Sequence, residues 1–116
     1  MKAVPALLFS AVLGVVPLAT AAQGKRVYEG SEAAALRCSN TLALTAVALA
    51  RADLISELEK EVMLDVTARI LDRHVSGTWA QKKRALGVIR DRRSVPETLE
   101  DYRRIAPKCL RQFPIN

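Results

Sequence analysis

Between Arg37 and Arg51 the chain carries no charged side chain, and its apolar residues do not keep to one side of a helix. Read at helical spacing, Ala35, Cys38, Leu42, Ala46 and Leu49 form one stripe, and Leu36, Ala43, Val47 and Ala50 form a second. Leu44 and Ala48 fall on the side that should meet water. A helix apolar nearly all round has to be covered nearly all round. The uncharged run is shorter than the ~20 residues a bilayer span requires. The stretch 31–51 is therefore expected to be the central helix of a small soluble bundle, with Ser31 as its N-cap and Glu32 in the first turn.

The first residues do not belong to that bundle. Met1-Lys2 precedes an apolar run, Val4–Leu18, broken by Pro5, Gly14 and Pro17, and Ala19-Thr20-Ala21 supplies a small-x-small cleavage pattern. Residues 1–22 read as a secretory signal peptide, cut after Ala21 or Ala22. Residues 23–30 read as a flexible N-terminal arm, and 31–116 as a single helical domain. Without the leader the chain has seventeen Lys and Arg against twelve Asp and Glu, near +5. No transmembrane span is expected after cleavage. The Ala-rich leader points to the bacterial envelope, with the product periplasmic or secreted.

Both cysteines, Cys38 and Cys109, lie in the exported part, where oxidising conditions favour pairing. A bridge between them closes a loop of about 70 residues, credited with ~4 kcal/mol by the chain-entropy model. That is comparable with the whole stability of a small domain. Without a C-x-x-C pattern the pair reads as a structural staple.

The remaining helices follow from caps and stripes. Ser56-Glu57-Leu58-Glu59 is a capping-box pattern, which places a break near 52–55 and a second helix over 56–74. Its main stripe is Leu58, Val62, Val66 and Ile70; a narrower one, Leu64 and Leu71, meets either another helix of the chain or a second copy in a homodimer. Ser76-Gly77-Thr78 is a turn with Gly77 suited to positive φ. A third helix runs over 79–90 with Trp79, Ala85, Leu86 and Ile89 inward. Ser94-Val95-Pro96-Glu97 opens the last helix, 95–113, where Leu99, Tyr102, Ala106, Cys109, Leu110 and Phe113 share one face and Pro107 should introduce a kink. The expected fold is all-α: a bundle of about four helices with one disulfide.

Chemistry is sparse. There is one histidine, His74, and no Gly-rich phosphate loop, HExxH or CxxC, so no catalytic residues are assigned and an enzyme is not expected. Met63 and His74 are about 16 Å apart along one helix, too far to ligate a single haem iron. No cofactor or metal is expected. The basic segment containing Lys82, Lys83, Arg84, Arg90, Arg92 and Arg93 is the conspicuous charge feature. Its charges scatter around the helix, and nucleic acid is a poor partner for an exported chain.

Two functions remain. The first is binding another envelope or secreted protein, in the manner of an assembly factor, chaperone or inhibitor, through Leu64, Leu71 and Trp79. The alternative is binding anionic envelope components, lipopolysaccharide or anionic lipid, through the 82–93 segment.

Overall fold

The computed structural model describes residues 26–116; the expected signal peptide and residues 23–25 of the arm lie outside the described residues. Four helices follow in order: α1 (Gly30–Arg51), α2 (Glu57–His74), α3 (Trp79–Asp91) and α4 (Val95–Gln112), with no strand among the described residues. Each boundary falls within a residue or two of its expected place.

The helix ends follow from local chemistry. Ser56, Thr78 and Ser94 each accept a hydrogen bond from the backbone N–H three residues on, and the side chains of Glu59, Gln81 and Glu97 each accept one from the cap residue's N–H. Three of the four helices thus open with complete capping boxes. The start of α1 differs from expectation. It begins at Gly30 after Glu29, which provides no side-chain cap, while Ser31 is exposed within the first turn.

The break after α1 is a Schellman turn. Asp53 N–H donates to the Ala50 carbonyl (3.1 Å) and Leu54 N–H to the Leu49 carbonyl (2.9 Å), with Asp53 at φ 57°. Glycine usually holds that position, because a side chain there crowds the backbone.

All of the extensive helix–helix packing is onto α1, which meets α2, α4 and α3 in decreasing extent. Ala35, Leu36, Cys38 and Leu42 of α1, Ile70 and Leu71 of α2, Val75, and Cys109 and Phe113 at the end of the chain form the core. Fully burying Leu36, Ile70 or Leu71 stabilises the fold by about 1.5–3 kcal/mol each. The α1 side chains Ser39, Asn40, Thr41 and Thr45 are buried as well. Among the described residues α1 is long and apolar enough to cross a membrane, but half of that span is buried against its own domain.

Cys38 and Cys109 are joined, with Cα atoms 5.7 Å apart, inside the 4.4–6.8 Å range a bridge permits. Near the other end of α1, Val95 shares a depression with Leu44, Val47 and Ala48. Helix α4 therefore runs antiparallel to α1. It continues through Pro107 to Gln112.

Two helices are turned relative to the expected stripes. In α2 the buried residues are Thr67, Ile70 and Leu71, while Leu58 is 75% and Val62 56% exposed. Helix α2 faces the core with the strip between the two predicted stripes. Thr67 can occupy it because its hydroxyl donates to the Met63 carbonyl (3.0 Å). In α4 the inward set includes Thr98 and Asp101, and Leu110 is 45% exposed. Thr98 donates to the Ser94 carbonyl, and Asp101 is held by Arg93 (2.7 Å) and Arg104. Each polar group has its own partner, which lowers the cost of burying it.

Two measurements check this account. Replacing both Cys38 and Cys109 with Ala should lower stability by about 2–5 kcal/mol in denaturant titrations, with helix content little changed. Asp53→Gly should raise stability by about 0.5–1 kcal/mol, because it relieves the positive-φ position and removes an anion from the carbonyl end of α1.

Candidate functional site

Two surfaces at opposite ends of α1 are shaped for contact. The first is a half-open groove of about 430 Å³ between the N-terminal half of α1, the far end of α3 and the segment 26–28 that precedes α1. Its floor is apolar, with Leu36 at 1% exposure and Ala85 and Ile89 half-buried. Its rim carries Arg26, Arg37, Arg92 and Arg93, and no carboxylate is among its described lining residues.

The wall formed by residues 26–28 is fixed by the turn after α2. The Ser76 backbone N–H and hydroxyl both donate to the Glu32 carboxylate (2.6 Å each), and the Tyr28 hydroxyl donates to the Ser76 carbonyl (2.7 Å). Arg26 donates to the Ser76 hydroxyl oxygen and lies over the Tyr28 ring at 5.4 Å. Gly77 at φ 94° is required beside this knot: a Cβ there would sit 2.7 Å from the Tyr28 hydroxyl. The Glu32 carboxyl lies in the first turn of α1, as expected, and also serves the α2–α3 turn. The two hydrogen bonds from Ser76 hold its pKa below the ordinary carboxylate value.

The second surface lies at the α1–α2 turn. Leu54 is 71% exposed, and Leu58 and Val62, one helical turn apart on α2, are more than half exposed. At the same end, Leu44, Val47, Ala48, Ala52 and Val95 line a shallow apolar depression.

Of the residues singled out from sequence, Arg92 and Arg93 line the groove, and the others lie elsewhere. Leu71, assigned to a partner face, is 1% exposed and belongs to the core, so the intrachain alternative for that stripe is the one the fold takes. Leu64 is half-buried. Trp79, expected to anchor α3 inward, is 51% exposed at the first position of that helix.

Among the basic residues, Lys82 is 7% exposed, and its ammonium donates to the Leu71 carbonyl at 3.0 Å, where the open end of α2 favours a cation. It cannot contact an external anion. Arg90 pairs with Asp91, and Arg93 with Asp101 and Glu97. Lys83, Arg84 and Arg92 are exposed. His74 closes α2, with Nε2–H donating to the Pro114 carbonyl (2.7 Å) and its ring edge-on to Phe113. The C-terminal segment is thereby packed against the domain. The bridge between Cys38 and Cys109 indicates an oxidising, extracytoplasmic compartment.

The Glu32 contact has a definite pH sense. A carboxyl whose folded pKa is depressed contributes its stabilisation above the unfolded pKa and loses it as pH falls through the folded one. Amide-exchange protection at Ser76 should therefore be full at neutral pH and collapse on acidification below the ordinary carboxylate range. Glu32→Gln should lack that transition. Comparison with known protein families, characterised proteins and solved structures returns no match to this chain.

Proposed function

We propose that this is an exported, non-enzymatic helical domain, periplasmic or secreted, that acts by binding another envelope or secreted protein. The reading rests on the apolar strip Leu54, Leu58 and Val62, displayed on the outside of the domain. Large apolar side chains grouped on one exposed face mark contact surfaces more often than isolated ones do. The strip replaces Leu64, Leu71 and Trp79 as the proposed contact. The engagement of His74 with Pro114 and Phe113 supports a structural use for the only imidazole in the sequence.

A photo-crosslinking residue at Glu61, exposed beside the strip, tests the reading in the native compartment. The expected result is a discrete adduct with one partner that disappears in the Leu58→Asp, Val62→Asp double variant. These positions are exposed, so the variant should keep the wild-type melting temperature. Adducts unchanged by the double substitution, or their complete absence, would remove this face. An adduct of twice the chain mass would identify the partner as a second copy.

A further inference from the structure

We propose that the groove between α1, α3 and residues 26–28 is a binding site for a free single-chain amphiphile, an anionic carboxylate head on a short alkyl chain. This proposal is independent of the apolar strip at the opposite end of α1.

Four arginines are among the residues lining the groove, and no acidic residue is among its described lining residues. Two of them are engaged: Arg93 with Asp101 and Glu97, and Arg26 with Ser76 and the Tyr28 ring. The side chains of Arg37 on α1 and Arg92 at the end of α3 have no hydrogen-bond or acidic partner among the described residues. Like charges brought together on one rim repel, and an anion placed between them relieves that repulsion. Guanidinium groups offer paired N–H donors that match a carboxylate.

The floor supplies the second half of the specificity. Leu36, Ala33, Ala85 and Ile89 present carbon, and the Tyr28 ring forms part of the wall. Tyr28 has its hydroxyl turned away to the Ser76 carbonyl, so no donor from it enters the groove. A fully polar anion would leave this floor wet, whereas an alkyl chain would cover it. The volume, about 430 Å³, falls within the range of small-molecule sites. The head is therefore assigned to Arg37 and Arg92 and the chain to the Leu36 floor. The knot at Ser76 keeps the wall in place before a ligand arrives, which reduces the ordering cost of binding.

Calorimetric titration of the exported protein with decanoate, held below its micelle-forming concentration, tests the site. Saturable one-to-one binding is expected, weakening about threefold to fourfold for each methylene removed along the series to hexanoate. Arg37→Gln with Arg92→Gln should weaken decanoate by about tenfold or more without moving the melting temperature, because both side chains are exposed. Val88→Trp, at the open side of the groove, should block uptake by filling it. Octyl glucoside, which has a chain of similar length and no charge, should bind far more weakly than octanoate.

Absence of saturable decanoate binding would overturn the proposal. So would equal affinity for octyl glucoside and octanoate, or undiminished affinity in the double arginine variant. Salt-sensitive binding to anionic vesicles, without uptake of free decanoate, would assign the arginines to a lipid surface and likewise overturn it.

Discussion

The covering of α1 by three other helices is the constraint from which the rest of the domain follows. Because α2, α3 and α4 pack chiefly on α1 and not on one another, α1 cannot leave a wide face to water near its middle. Its composition suits that position. Ala35 and Ala46 are fully buried and allow neighbouring backbones to come close, and Leu36 and Leu42 fill the spaces between them. The arrangement also carries a cost. The hydroxyls of Ser39 and Thr45 are buried with no hydrogen-bond partner among the described residues, at about 1–3 kcal/mol for each unmet group. Apolar burial around them and the covalent tie to α4 have to offset that.

Features encoded over three or four consecutive residues were legible in the sequence. The boxes at Ser56 and Ser94, the positive φ at Gly77 and the break before Ser56 all depend on neighbours in the chain, and all are present. The Thr78–Gln81 box was equally written there and has the same pattern with glutamine in place of glutamate. The pairing of Cys38 with Cys109 was legible because only one connectivity exists. Which face each helix turns inward was less so. Periodicity ranks Thr67, Thr98 and Asp101 as outward, yet each is buried once its polar atoms find partners. Including them rotates α2 and α4 and leaves Leu58, Val62 and Leu110 in solvent. Lys82 shows the same thing in reverse: a residue counted as surface charge completes the end of another helix.

The groove had no local signature at all. It is assembled from residues 26–28, 33–37 and 85–93, brought together by the crossing of α3 over α1 and by the hold of the Ser76 turn on the N-terminal segment. In the sequence its arginines look like scattered basic residues. Only the tertiary arrangement separates those already neutralised, such as Arg93, from those facing the groove without a partner. The same arrangement splits the basic segment at 82–93 into members with different tasks, so net charge alone described none of them.

The bridge between α1 and α4 also governs what happens when the chain is cut. The three interhelical turns, with exposed residues such as Asp53, Ser76 and Arg92, all lie between Cys38 and Cys109. A protease that severs any one of them leaves both pieces attached through sulfur, and the freed ends remain beside the surfaces they were packed on. Scission then becomes an intramolecular opening and not a loss of fragments, and the nicked domain can close again. In a compartment exposed to degradative enzymes, damage of this kind would be visible only after reduction.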